Sequence, residues 1–433
     1  MIESSVMQVA MSGRGVVGRR SFLRGIGLGA AGLAGLSFTD LMAVQADELR
    51  KRQMSCILLW MGGGPSQHDT WDPKPGTDVG GDTQAIATSV PGVQVAGHFP
   101  RVARVMDDVA IIRSMTNKEG NHQRATYQLH TGYAPSGTVK HPSFGCVLGA
   151  ELGDPKFDLP HIVSIGTRDS GSGMGAGILG VKYEPFQVPD PLRPPLNVEL
   201  PVPPGRFVRR LNLMHSLEVA GFGNSGGMDR VREHHDVYKQ TASMVLSPHM
   251  RAFDVEAEDA KTRALYGPTP FGQGCLLARR LVEAGVTFVE VKSNGWDNHA
   301  KVTDAVAKNA GSVDPGFASL VADLKRRGML DKTLVIWMGE FGRTPKINPG
   351  AGRDHFPRVF SVALAGGGVK GGQVIGSSTA DGSAVKDNPV AVVDLMASFC
   401  TALKIDPKKE NVSPQGRPIK IVDGGKPIRG LFA

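Results

Sequence analysis

Imidazole and carboxylate groups gather in this chain where apolar runs give way to glycine. The run Ser55 to Met61 passes into Gly62-Gly63-Gly64-Pro65-Ser66-Gln67-His68-Asp69-Thr70-Trp71-Asp72. Thr287 to Val291 leads to Asn294-Gly295-Trp296-Asp297-Asn298-His299. Leu334 to Met338 leads to Gly339-Glu340-Phe341-Gly342-Arg343-Thr344, with Arg353-Asp354-His355-Phe356-Pro357 soon after. Ring nitrogens and carboxylate oxygens are the donors that Zn, Mn, Fe, Ca and Mg sites use. His68, Asp69, Asp297, His299, Glu340, Asp354 and His355 are therefore candidate metal ligands. Each has a plainer reading when taken singly. A histidine near a strand end packs into a core or lies on the surface, and an aspartate after a strand caps a helix, which applies to Asp69 and Asp297. Recurrence at three strand ends points instead to one shared polar site.

A fifth segment, Asn121-His122-Gln123-Arg124-Ala125-Thr126-Tyr127-Gln128-Leu129-His130-Thr131-Gly132, follows the apolar run Val109 to Arg113. It reads as a loop entering a helix that stops at Gly132. His122 stands at the helix start, where free N–H groups and the helix dipole favour anions. Arg124 lies in the same first turn. His122 and Arg124 are candidate catalytic residues, and the plain alternative is a neutral polar helix entry.

The elements that must position these groups form an α/β pattern. Continuous apolar runs such as SCILLWM suit strands covered on both faces. The runs 55–61, 109–113, 287–291, 334–338 and 360–365 alternate with amphipathic segments such as 272–284, 315–327 and 389–403. This predicts a doubly wound, mostly parallel sheet, in which ligands bind at the carboxyl ends of the strands. From Gly153 to Gly226 the chain is rich in Pro and Gly, and helical patterning resumes from Met228 to Tyr266. The span 153–266 is expected to form an insertion or cap over that edge. The glycine run 366–372 lacks the GK[ST] ending of a phosphate loop and reads as a turn at a hairpin or sheet edge.

Composition narrows the setting. Residues 1–46 hold Arg19-Arg20-Ser21-Phe22-Leu23, an apolar stretch from Gly25 to Leu36 and a small-residue exit ending at Ala46. This is the layout of a twin-arginine export signal. The apolar stretch is shorter than the roughly 20 residues of a membrane span. A periplasmic or extracellular location is expected, with the twin-arginine export receptor as a partner in transit and no stable membrane span. The net charge of +8 is spread thinly, without a dense basic patch interleaved with aromatics, so nucleic acid is not an expected ligand. A mild positive field suits an anionic small molecule or polysaccharide. The four cysteines lie far apart with no CxxC pair, and free buried thiols are the default reading.

Taken together, the Gly-Gly-Gly turn followed by His-Asp-x-Trp-Asp, the run HxxAxYxxHTG, GWDNH, WMGEFGRTP and GRDHFP resemble one exported bacterial family, the domain-of-unknown-function 1501 family. The resemblance spans roughly Met54 to Ile405. That family is placed in the alkaline phosphatase and sulfatase superfamily. The resemblance implies that 47–433 is one alkaline phosphatase-like domain with metal at the sheet's carboxyl edge. It implies Asp69 as the metal-binding aspartate after the first strand, Asp297 and His299 as later ligands, and Asp354 and His355 as the final ligand region. Two positions depart from the superfamily pattern. The nucleophile, a Ser, Thr or modified Cys, stands ten residues before the glycine of a Thr-Gly or Cys-Gly pair, and that position is His122 here. The Asp-His pair after a late strand falls on Glu340 and Phe341.

Two functions follow as expectations. One is an exported hydrolase of phosphate or sulfate esters dependent on a divalent metal (Zn, Mn, Ca or Mg), with an atypical histidine at the nucleophile position. The alternative is a non-catalytic protein of the same fold that binds a polysaccharide, a sulfated ligand or a protein partner. The altered nucleophile favours the second, and the retained Asp, His and Glu set favours the first.

Overall fold

The computed structural model describes residues 54–432 apart from 167–174, 197, 223–227, 414 and 415, together with the short antiparallel pair Val9–Ala10 and Val16–Val17. The chain divides into a unit of residues 1–50 and a unit of residues 51–433. Arg19-Arg20 and the apolar stretch of the expected export signal lie outside the described residues.

The larger unit is built on one sheet. Its strands in chain order are β1 (Ser55–Gly62), β2 (Val109–Thr116), β3 (Ile162–Ile165), β4 (Phe186–Val188), β5 (Phe288–Asn294), β6 (Thr333–Met338), β7 (Phe360–Ala365), β8 (Gln373–Ile375) and β9 (Val390–Ala391). The spatial order is β8-β2-β7-β6-β1-β5-β3-β4, with β9 also beside β2. All pairings are parallel except those of β7 with β6 and β2. β1 is the central strand. Successive side chains of a strand point to opposite faces, so Ile57, Leu59 and Met61 enter one apolar core while Cys56, Leu58 and Trp60 enter the other. That double burial explains the unbroken apolar run, each large side chain being worth about 1.5–3 kcal/mol when fully buried.

Helices cover both faces. On one lie α6 (Pro270–Ala284) and α7 (Val302–Arg326), on the other α1 (His122–Thr131), α2 (Phe144–Leu152) and α8 (Val392–Ala402). Between them in sequence are α3 (Pro204–Phe222), α4 (Met228–Leu246) and α5 (Ala260–Tyr266). The ends of α6 follow its caps: Thr269 accepts from the Gly272 N–H at 3.2 Å, Pro270 stands in the first turn and Gly285 ends it in the left-handed region. Among the described residues no helix is long and apolar enough to cross a membrane.

Two expectations are revised. The span 153–266 is not all excursion, because it supplies β3 and β4, which extend the sheet beyond β5. Both are too short to stand out in a Pro/Gly-rich stretch. α7 begins thirteen residues before the expected start at Pro315, which lies inside the helix. Asp314, just before that proline, accepts from the Arg101 and Val102 N–H groups at 3.0 and 2.8 Å.

His68 is fully buried, and neither ring nitrogen has a hydrogen-bond partner. Gly382, at φ +65°, lies flat against its ring, where a Cβ would stand 2.2 Å from the imidazole. Burial first, then the Arg353 charge, lowers its pKa to about 4. The folded state therefore resists protonation that the unfolded chain accepts, and stability falls as pH drops from the ordinary histidine value toward 4. The loss amounts to about 3 kcal/mol from this residue. A His68→Leu variant should show a flatter dependence of urea-unfolding free energy on pH between 7 and 4. A curve as steep as that of the native chain would contradict this account.

A candidate metal centre at the sheet edge

The loop after β5 is fixed from beneath. Trp296 is fully buried, its ring edge-on to Trp337 of β6 at 6.1 Å, and its backbone N–H donates to the Gly62 carbonyl at 3.2 Å. Gly63, at φ +115°, passes so close that a Cβ there would lie 2.4 Å from the Asp297 nitrogen. Only glycine permits this contact, and it sets Asp297 directly over the end of β1. The next loop arrives by the two-residue ladder of Gly342–Arg343 with His355–Phe356. α1 arrives by its cap, Asn121, whose side chain accepts from the Arg124 N–H at 3.2 Å.

These elements bring three imidazoles around one carboxylate. Nε2 of His299 and His355 lie 3.0 and 3.3 Å from Oδ1 of Asp297, and Nε2 of His122 lies 3.3 Å from Oδ2. The Nε2 atoms of His299 and His355 are 3.1 Å apart. Ligand atoms of His122, Asp297 and His355 all fall within 4.8 Å of one another. Each ring's other nitrogen faces an acceptor. Nδ1 of His122 is 2.6 Å from Oε1 of Glu340, Nδ1 of His299 is 2.9 Å from Oδ1 of Asp354, and Nδ1 of His355 is 2.9 Å from the Gly120 carbonyl. A neutral imidazole that donates from Nδ1 keeps a lone pair on Nε2. Three lone pairs thus converge on a carboxylate, an arrangement that a shared proton or a metal cation must hold together. Oriented histidines with acceptors behind them are the pattern of metal ligation.

The electrostatics follow from the same contacts. Partial burial alone would raise the Asp297 carboxyl, but the Arg343 hydrogen bond and charge outweigh it and hold the pKa at about 2. The Glu340 hydrogen bond raises His122 above the ordinary histidine value, against desolvation. Desolvation lowers His355. The His299 and Asn348 hydrogen bonds lower Asp354.

Arg343 underlies the site. Its side chain has no exposed surface, and its donors reach the carbonyls of Gly63, Gly64 and Arg353 as well as Asp297 Oδ1 at 2.5 Å. A nitrogen of the same group lies 3.4 Å from His299 Nε2. The sequence reading did not single this residue out.

The expected site residues divide into three groups. His122, Asp297, His299 and His355 meet. Glu340 and Asp354 stand behind His122 and His299 and hold their rings, with Glu340 also accepting from the Gly63 N–H at 3.0 Å. His68 and Asp69 face elsewhere: Asp69 is buried and binds Ser66, Thr83 and Arg353 at 2.5, 2.5 and 2.8 Å. The chain turns sharply at Ser66 after leaving β1, and Asp69 becomes an internal brace. Arg124 also departs from expectation, since its guanidinium lies against Glu119 at 2.6 Å and not over the cluster. Phe341, in the position of an expected ligand, covers the rings of His122 and His355 at 4.8 and 4.7 Å.

The model of the family described as "Protein of unknown function (DUF1501)" matches residues 53–432, and the chain belongs to that family. No curated protein matches the sequence. Solved structures similar to it include Ps i-CgsB in complex with k-i-k-neocarrahexaose, at 12% identity over 86% of this chain and 74% of that one, with a TM-score of 0.40. Another is the PsFucS1 sulfatase from Pseudoalteromonas sp., at 14% identity, 84% and 70% coverage and a TM-score of 0.39. A third is a protein in the alkaline phosphatase superfamily from Vibrio parahaemolyticus, at 11% identity, 82% and 67% coverage and a TM-score of 0.36. Likeness at this level does not bear on activity, which rests on the side chains of this chain.

Replacing Arg343 with Met should leave the Gly63 and Gly64 carbonyls without donors and cost about 3–5 kcal/mol in urea unfolding. Arg343→Lys should recover only part of the loss, because an ammonium cannot span the same acceptors. Full recovery with lysine would show that charge alone is required.

Proposed function

We propose that this DUF1501 chain is an exported, metal-dependent hydrolase of phosphate or sulfate esters. The observation that carries the reading is the convergence of His122, His299 and His355 on Asp297, each ring held by an acceptor at Nδ1. The donor set fits a divalent cation of the zinc type, with imidazole nitrogens and one carboxylate oxygen as ligands. Such an ion, when bound, supplies Lewis acidity toward an ester oxygen and lowers the pKa of water.

The chain's own residues complete the account. Glu340, Asp354 and the Gly120 carbonyl fix the three tautomers and aim the lone pairs. Phe341 shields one side of the cluster from water. His122 Nε2 has no accessible surface and faces Asp297 at 3.3 Å, so it is closed to in-line attack on an ester. We therefore assign His122 to ion binding and not to a covalent intermediate, and attribute attack to water. Residues 1–46 are assigned as the twin-arginine leader, which places the mature chain in the periplasm or outside the cell.

One observation favours the second reading, a metal-bearing protein that binds an anionic polysaccharide without cleaving it. The three arginines of the site motifs are all committed, Arg124 to Glu119, Arg343 to carbonyls and Asp297, and Arg353 to Asp69 and carbonyls. The deciding measurement is turnover of aryl phosphates and sulfates by native protein loaded with Zn, Mn, Ca or Mg, beside its metal content. The hydrolase reading expects stoichiometric metal and turnover, with Asp297→Asn and His299→Ala losing metal and His122→Ser failing to restore turnover. Stoichiometric metal without turnover of any ester would select the binding reading.

Export has its own test. Changing both Arg19 and Arg20 to Lys should hold the precursor in the cytoplasm, because the receptor reads the guanidinium pair. Unchanged yield outside the cytoplasm when the twin-arginine route alone is disrupted would remove this assignment.

A further inference from the structure

A groove of about 580 Å³ lies against the loops that carry the cluster, lined by Asn117, Lys118, Glu119, Arg358 and the first residues of α8. Its walls are continuous with the histidine site. Gly120, whose carbonyl accepts from His355, follows Glu119, and Arg358 stands three residues beyond His355. The two walls are joined by the Asn117 N–H to the Pro357 carbonyl at 2.9 Å. Lys118 and Arg358 are both exposed, and neither has an ion-pair partner among the described residues. The groove's one carboxylate, Glu119, is neutralised by Arg124 at 2.6 Å and accepts from the Asn121 N–H at 3.1 Å. A concave surface with two uncompensated cations concentrates anions, and a guanidinium suits the paired oxygens of sulfate or phosphate.

We propose that this groove is a binding subsite for an extended polyanion, a chain bearing repeated sulfate or phosphate groups, which places one ester at the histidine cluster while its neighbours lie on Lys118 and Arg358. The proposal rests on the hydrolase reading for the first ester and supplies what that site lacks, free cations for an anionic substrate. It predicts a preference for charged chains over isolated monoesters.

The test is equilibrium binding of native full-length protein to dextran sulfate and to polyphosphate at physiological salt, with uncharged dextran as control. Lys118→Glu and Arg358→Glu should each weaken binding about tenfold, and the double variant about a hundredfold. Metal content should stay unchanged in all three. Arg104→Glu makes the same charge change on an exposed arginine that lines a different groove, and should leave binding as it was. Weakening with only one of the two polyanions supports the proposal and identifies the ester class. Equal affinity in every variant, an Arg104→Glu effect as large as the groove variants', or no binding of either polyanion would overturn it. Turnover is read separately, so an inactive cluster with groove-dependent binding would sink the hydrolase reading and leave the subsite standing.

Discussion

The site depends on a guanidinium that water never reaches. Burying an arginine is costly unless every donor finds an acceptor, and Arg343 finds them on three separate loops: the turn after β1, the loop after β5 and the segment that leads into His355. Each of those loops carries or supports a ligand-type side chain. The charge also keeps Asp297 ionised amid three imidazoles. One residue thereby sets both the geometry of the cluster and the protonation state at its centre.

A second buried arginine repeats the device one layer further out. Arg353 donates to Asp69 at 2.8 Å, to Val79 at 2.8 Å and to the Thr344 and Pro345 carbonyls. It closes the loop between Arg343 and His355 on the same core that holds Asp69. Irregular backbone has carbonyls that no ladder satisfies, and in this fold two side chains with five donors each satisfy much of that demand. The loops can then be rigid without being helical or extended, which a site with several converging rings requires.

The sequence made the sheet legible where strands are buried on both faces. β1, β6 and β7 read as unbroken apolar runs, and β7 falls on the residues anticipated. β3 and β4 did not, since three or four residues among prolines carry too little pattern. In the site, the pairing of Asp with His at successive strand ends was enough to bring His122, Asp297, His299 and His355 into consideration. Their division of labour was not readable. Whether a carboxylate joins a cluster or stands behind a ring depends on which ring nitrogen faces it, and Glu340 and Asp354 face Nδ1. His68-Asp69 looked like the other pairs, yet the turn at Ser66 sends it into the interior. Arg343 carried no mark of its own, since residue type alone does not distinguish a buried arginine from a solvated one. The clue was indirect: glycine-rich turns meeting at one place leave carbonyls in need of donors.

The four cysteines have a consequence of a different kind. All are free and buried. Burial pushes the thiols of Cys146 and Cys400 up to about 12, and those of Cys56 and Cys275 higher still. Oxidation and disulfide exchange need the thiolate, so these sulfurs are silent in the folded chain. The native state is thus held without disulfides, indifferent to the redox potential around it. The same fold is accessible in a reducing compartment, where it can be completed, and in an oxidising one, where it can persist.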